Sequence, residues 1–466
     1  MMGMIRAANN HGHQTNQKKS QFRNHSSDKG GTMPEEYTEA ELLEMARKYS
    51  FRSRIDKNVV TGPIMVWGRG SVVRDVNGKE YLDFNSGQMC AALGHNHPRI
   101  VQALHESGET LIHSHMSMFN DREIILAVRL AEISPEGMNR SMFLTSGSDS
   151  NEAAMAIAKR YTGGYEFASP AVSFHGMNDS TRAVTFSGWH EGYGPYAPGH
   201  YPIIAPYRYR CRFCQDRPAC DYSCLDTSFE LLDAQADGPL AGVITEPLFS
   251  AGGVIDLPYG WLAELKRRCE ARGALLIVDE AQTGLAKLGT MWAFEQEGVV
   301  PDIFTISKHF GGGVAISAAI TTDAIEEKAS ETGMVVGHSH SNDPMPCHAA
   351  IASIDIILEE LLTDVAQRIG AYWREHLERL ASRHEIIGDI RGRGLLQGIE
   401  LVTDRATREP AYAQGREIGR RCLENGLIMS VRRSGSVFRF VPPFTTTEAQ
   451  MDEAAEILDD AIVQSV

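Results

Sequence analysis

The stretch DIFTISKHFGGG, residues 302–313, sets a lysine at the end of an apolar, β-branched run with three glycines behind it. Residues 302–307 read as a short buried strand, and the glycines let the backbone turn sharply and pass close to another group. A lysine in such a place, Lys308, needs a reason beyond solubility. Upstream, ALLIVDE at 274–280 is a second buried run and closes on Asp279 and Glu280. A carboxylate that follows the apolar run Ala274 to Val278 is poorly solvated, and it is costly unless a cation or a hydrogen-bond donor meets it. Two further strands are predicted, SMFLTSG at 141–147 and AGVITEP at 241–247; they lead into Ser146-Gly147-Ser148 and Glu246-Pro247.

Helical patterns fill the intervals. EAAMAIAKRY at 152–161 has apolar residues at helical spacing, and GWLAELKRRCEARG at 260–273 ends on basic residues and a glycine, as a helix C-terminus favours. This alternation predicts an α/β fold with a mainly parallel central sheet, in which ligands sit outside the carboxyl ends of the strands. After residue 344 the pattern changes to long helical segments, then strands in RGRGLLQGIELV (391–402) and VFRFVPPFT (437–445), then a terminal helix. SVVRDVNGKEYLDF at 71–84 predicts a hairpin with a two-residue turn at Asn77-Gly78. The expected organisation is a polar, disordered arm over 1–35, a large domain over 91–343, and a smaller α+β domain assembled from 36–90 and 344–466.

Composition narrows the function. Of 466 residues 42% are hydrophobic, enough for a large core, and 45 basic against 60 acidic residues leave a net charge of −15. That balance disfavours nucleic acid as a partner. There is no apolar run long enough for a transmembrane helix and no apolar stretch near the N-terminus of the kind a secretory signal needs, so the expectation is a soluble cytoplasmic protein without a membrane partner.

One lysine, one buried aspartate and a helix N-terminus behind Ser146-Gly147-Ser148, whose backbone N–H groups suit a phosphate, are the parts that a pyridoxal phosphate enzyme needs. Together with YLDFNSGQMCAALGHNHP (81–98), LTSGSDSNEAAMAIAK (144–159), SFHGM (173–177), the Glu246-Pro247 pair, LLIVDEAQTGLAKLGTMWAFEQEGVVPDIFTISK (275–308) and RGRGLLQGIEL (391–401), they make the chain resemble the class III pyridoxal phosphate-dependent aminotransferases of fold type I, from Val66 to Thr445. Within that family SGQM, HGM, ALLIVDEAQTG and VFRFVPPFT look most like the 2,2-dialkylglycine decarboxylases.

The resemblance implies pyridoxal 5'-phosphate as cofactor, an amine or amino acid as donor, and a 2-oxo acid such as pyruvate as acceptor. It assigns Lys308 as the Schiff-base lysine and proton carrier, Asp279 as the partner of the pyridine nitrogen, and Gln282 as the neighbour of the ring oxygen. Gly147 and Ser148 would hold the phosphate together with Ser339 from a neighbouring subunit, which implies a homodimer or tetramer with a shared site. Phe174 would stack on the ring beside His175, and Glu246 would line the cofactor site. Gln88, Met89 and Arg439 would orient the substrate carboxylate, for which the planar fork of arginine is suited. The donor side of the pocket is expected near Phe119, Trp189 and Phe249.

Departures from the pattern shape the expected chemistry. The decarboxylases have tryptophan at Phe174 and serine at Ala251, so two donors near the bond to be cleaved are missing here. A positioned donor is worth roughly 2.7–4 kcal/mol of barrier. Plain transamination is therefore favoured, with decarboxylation-dependent transamination or an ammonia- or phospho-lyase outcome as the alternatives. Lys287 stands where the family usually has arginine. Four of the eight cysteines, Cys211, Cys214, Cys220 and Cys224, have zinc-like spacing within CRFCQDRPACDYSC, although the loop between the pairs is short. A zinc-stapled, catalytically idle relative is the rival reading, and intact Lys308, Asp279 and Gln282 speak against it. His338, His340 and His348 could suggest a metal cluster, but GHSHSNDP (337–344) resembles the subunit-crossing phosphate loop of the family, and that explanation suffices.

Overall fold

The computed structural model describes residues 37–51, 62–188, 192–214, 217, 219–333 and 337–466. The expected N-terminal arm and Trp189 lie outside the described residues. The first compact unit, residues 1–60, contributes one described helix, Glu39–Tyr49. Thr38 caps it in a reciprocal box with Glu41, and it buries none of its residues.

The second unit, residues 61–466, is built on a seven-stranded sheet. Its order is Arg140–Leu144, Ser317–Thr321, Ile303–Ile306, Leu275–Asp279, Leu240–Thr245, Glu166–Pro170 and His200–Ile203. Strand Ser317–Thr321 pairs antiparallel on both sides, and the other pairings are parallel. Parallel strands are covered on both faces and so read as continuous apolar runs, which is why three of the expected strands stand out in the sequence; the fourth, Arg140–Leu144, is also present but lies at the sheet edge and pairs antiparallel. Strands Leu240–Thr245, Leu275–Asp279 and Ile303–Ile306 are buried at every position.

Helix Gly147–Thr162 packs on one face of this sheet. Its N-cap Ser146 exchanges hydrogen bonds with Asp149, and Gly163 closes it in the left-handed conformation at φ +76°. Helix Trp261–Glu270 precedes the central strand and buries Trp261, Leu262 and Leu265.

Two smaller sheets use the chain ends. Strand Leu427–Ile428 pairs in parallel with Glu80–Asp83, whereas Ile387–Arg393, Leu396–Asp404, Val437–Phe440 and Ser430–Arg432 form an antiparallel sheet. The hairpin Val72–Asp75/Glu80–Asp83 is present, but its loop has three residues instead of two. Gly78 N donates to Asp75 O (3.0 Å), Asp75 N to Lys79 O (3.0 Å), and the Asp75 carboxylate accepts from Asn77 N and Lys79 N, both 2.9 Å. Asp75 thus fixes a tight turn followed by Gly78 at φ +84°, the geometry of a three-residue hairpin loop. The long helical segment after residue 344 is two helices, Pro344–Glu359 and Leu362–Arg383, broken where Leu361 takes φ +51°.

Lys287 joins the large sheet to the C-terminal segment. Its Nζ donates to Pro442 O (2.7 Å) and lies 5.0 Å from the centre of the Phe444 ring. Burial pulls its pKa down to about 7, against the opposing charge of Asp83. Between pH 7 and the ordinary lysine value the unfolded chain therefore binds more protons than the native one, so this group's contribution to stability rises with pH across that window. Lys287→Met removes the titration. The Tm of the wild type is expected to climb relative to that of the variant as pH goes from 7 to 10; parallel Tm profiles would refute a neutral buried amine.

Candidate active site

Strand Leu275–Asp279 delivers the Asp279 carboxylate to the carboxyl end of the sheet, where it is buried. Its Oδ2 accepts from Asn151 Nδ2 (2.8 Å) and faces His175 Nδ1 at 2.9 Å, and Oδ1 accepts from Ala281 N (3.0 Å). Burial alone raises the carboxyl, but the hydrogen bond and charge of His175, with Lys308 and Ala281 N, outweigh it and hold Asp279 below the usual carboxylate range.

Lys308 follows the adjacent strand at φ +52°, a left-handed backbone that few residues other than glycine adopt. This conformation swings the side chain into the wall between two cavities. One, of about 330 Å³, is lined by Gly147, Ser148, His175, Asp279 and Lys308; the other, of about 570 Å³, by Met89, Ala251, Gln282, Arg439 and Lys308. Gln88 and Phe174 border both. Burial lowers the pKa of Lys308, resisted by the charges of Asp279, Cys90 and Glu246 and aided by Arg439.

Glu246 is buried, accepts from Phe174 N (3.0 Å) and Ser250 N (3.3 Å), and is pushed up to about 8 by burial and by the charge of Asp279. Arg439 is fully buried and donates to Ser250 Oγ (3.0 Å), Gln282 Oε1 (3.3 Å) and Ser430 Oγ (2.9 Å). Eleven of the twelve expected site residues outside the cysteine loop, Lys308 among them, thus gather at these two cavities, if Glu246 is counted by its bond to Phe174 N. Ser339 is exposed in a turn and lines neither cavity.

Asn151 was not singled out by the sequence reading. It sits one turn into helix Gly147–Thr162, donates to His175 O (2.8 Å) as well as to Asp279, and accepts from Thr305 Oγ1 (2.6 Å). A buried polar residue on the sheet-facing side of that helix was the available signal. Phe249 is buried and Phe119 exposed; neither lines the two cavities.

The cysteines of the loop come near one another without closing on a common point. Cys214 Sγ lies 3.4 Å from Cys211 Sγ and 3.9 Å from Cys220 Sγ, and all eight cysteines are free thiols. Among the described residues, three ligand-type atoms within 4.8 Å of one another occur at His113, His340 and Asp343. Both imidazoles there already pair with the Asp343 carboxylate, at 2.5 and 2.7 Å. His348 faces Ser107 Oγ at 3.0 Å instead.

The family model for aminotransferase class-III matches residues 56–462. An uncharacterized aminotransferase of Schizosaccharomyces pombe is 39% identical over 86% of this chain and 90% of its own length, and the leucine/methionine racemase of Thermococcus litoralis is 34% identical over 90% and 95%. The structure of a PLP-bound amine transaminase from an uncultivated Pseudomonas species superposes with a TM-score of 0.83 at 27% identity, covering 94% of this chain and 100% of that one. The chain belongs to the class III aminotransferases. It has the type I fold of these enzymes and is a pyridoxal phosphate-dependent aminotransferase acting between an amino donor and a 2-oxo acid.

The smaller cavity fits that cofactor. Its wall offers a buried carboxylate, a buried His175 Nε2 without a protein partner, and a helix N-terminus kept open by glycines. A Cβ at Gly147 would stand 2.7 Å from Ser307 Oγ, and one at Gly176, where φ is +142°, 2.4 Å from Ser148 Oγ. Gly176→Ala is expected to displace Ser148 and cost about 1–3 kcal/mol of stability. The readouts are a lower urea midpoint and weaker retention of pyridoxal phosphate on gel filtration; unchanged values for both would show that the close approach is dispensable.

Proposed function

We propose that the chain transfers an amino group from an amine or amino acid to a 2-oxo acid such as pyruvate, with Lys308 holding the cofactor covalently and carrying the proton at the substrate's α-carbon. The observation that carries this reading is the position of Lys308 in the wall shared by the two cavities, with Asp279 on one side and Arg439 on the other. When bound, pyridoxal phosphate supplies a carbonyl that takes up amines and a ring that accepts the negative charge left on the α-carbon.

The residues of the chain do the rest. Asp279, ionised and fixed by Asn151 and His175, would keep a proton on the cofactor's ring nitrogen. Gly147 and Ser148 hold the phosphate, joined by the partner subunit's Ser339, so that the active form is a homodimer or a tetramer of such dimers. Phe174, with its backbone fixed on Glu246, would cover the cofactor ring, and Gln282 would serve its oxygen. Lys308, whose pKa burial lowers, is the group placed to take the α-proton. Arg439, with Gln88 and Met89, orients the carboxylate next to that carbon.

Residues 91–343 form the cofactor-binding domain in this reading, and 36–90 with 344–466 a second, smaller one. No helix among the described residues is long and apolar enough to cross a membrane, and the cytoplasm is the proposed location.

Ala251 lines the substrate cavity without a hydroxyl, which supports breaking the C–H bond over losing carbon dioxide. In a single-turnover reaction 2-aminoisobutyrate is expected to yield neither carbon dioxide nor acetone, whereas an amino acid with an α-hydrogen converts the cofactor to its amine form. Release of both products would make the chain a 2,2-dialkylglycine decarboxylase instead. Lys308→Ala should abolish the visible absorbance of covalently held cofactor and lower turnover about 10²–10⁴-fold. Asp279→Ala should retain part of the cofactor but lose turnover about 10²–10³-fold; near wild-type rates in either variant would contradict the assigned role.

A further inference from the structure

The larger cavity is unusual in its charge. Lys308, Arg432, Arg433 and Arg439 line it, and among the described residues no aspartate or glutamate does. The hydrogen-bond acceptors of Arg439 are neutral groups, and its Nε has no partner. The Nε of Arg432 is likewise buried without a partner. Burial first, then the charge of Arg432, holds the Arg439 guanidinium well below its ordinary pKa, with Glu246 opposing. Two cations that repel one another inside a poorly solvated wall are costly unless an anion joins them.

The strand register places them as neighbours. Ser430–Arg432 runs antiparallel to Val437–Phe440, with Ser430 opposite Arg439 and Arg432 opposite Val437. Arg432 and Arg439 are therefore diagonal neighbours, roughly 7–8 Å apart along the sheet. Arg433 is engaged elsewhere: Nη1 donates to Gly252 O (2.8 Å), and the guanidinium lies 5.1 Å from the centre of the Tyr207 ring. The backbone turns at Arg433 and Ser434 through left-handed conformations, φ +48° and +58°, which end the strand at Arg432. Such conformations at two residues with side chains persist where the surrounding structure over-determines them, and they cluster at functional sites.

We propose that Arg432 receives a second carboxylate of the substrate, so that the enzyme acts on dicarboxylic amino acids and 2-oxo diacids, with the carboxylate next to the reacting carbon on Arg439 and the distal one on Arg432. A diacid brings one negative charge to each guanidinium; pyruvate leaves Arg432 unmatched. This inference rests on the amino-transfer reading above and narrows its acceptor.

The test compares the holoenzyme with its Arg432→Gln and Arg432→Lys variants. Initial rates are measured with 2-oxoglutarate, oxaloacetate and pyruvate, and thermal shifts with the unreactive acids glutarate and butyrate. The wild type should favour the diacids over pyruvate in kcat/KM by at least about tenfold, and glutarate but not butyrate should raise its Tm. Arg432→Gln should collapse that ratio, chiefly through KM for the diacid, and abolish the glutarate shift. Arg432→Lys, which keeps the charge and loses the fork, should retain part of both. A wild-type ratio near one without a glutarate shift, or an Arg432→Gln variant that keeps the ratio and the shift, would overturn the proposal. Absence of turnover with every 2-oxo acid would fall on the amino-transfer reading instead; the glutarate shift needs no turnover and still decides the role of Arg432.

Discussion

A single negative charge held out of water at the end of the central strand organises the molecule around it. Asp279 is kept ionised by donors from three separate segments: Asn151 from helix Gly147–Thr162, His175 from the loop after strand Glu166–Pro170, and Ala281 N from its own strand's exit. Each donor is fixed in turn, Asn151 by Thr305 Oγ1 and His175 N by Thr185 Oγ1, so the helix, two strand ends and a loop are tied to one carboxylate. An unpaired buried carboxylate would be far more costly than any of these bonds is favourable, and that asymmetry makes the network obligatory.

From that charge the remaining ionisations follow. Burial, reinforced by the field of Asp279, pushes Glu246 up to about 8, whereas the same aspartate resists the lowering of Lys308 by burial. One cavity thus has the Asp279 carboxylate and a helix N-terminus in its wall, and the other is lined by four cationic side chains and, among the described residues, by no aspartate or glutamate. Lys308 stands between them because a residue with a side chain has been forced to φ +52° where strand Ile303–Ile306 ends. The strain of that backbone is the kind that functional sites retain, supported by packing on every side.

Cys211, Cys214 and Cys220 approach pair by pair through Cys214, and the imidazoles of His113 and His340 each turn Nδ1 to Asp343. In both places spacing along the chain supplied the ligand types, whereas convergence on one point depends on side-chain direction. Lys287 makes the same point in reverse. The sequence marks it as a departure from an arginine, and the packing shows a buried amine on Pro442 O, where the wider, always charged guanidinium is not a neutral replacement.

By itself the sequence determined the parallel-sheet architecture, the strand ends that carry Asp279 and Lys308, and the helix that opens behind Ser146. These depend on apolar periodicity and capping chemistry, which act between residues a few positions apart. It indicated a hairpin at residues 71–84 but not the three-residue loop, because the Asp75 carboxylate competes for the turn through bonds to Asn77 N and Lys79 N that propensity does not express. The tertiary structure alone decided that Asn151 and His175 share Asp279, that Glu246 is bonded to Phe174 N, and that Arg432 lines the same cavity as Arg439 with no aspartate or glutamate among the described residues lining it. Those relations join residues distant in the chain, and their energies come from desolvation and from charges in a shared cavity, which exist once the segments have packed.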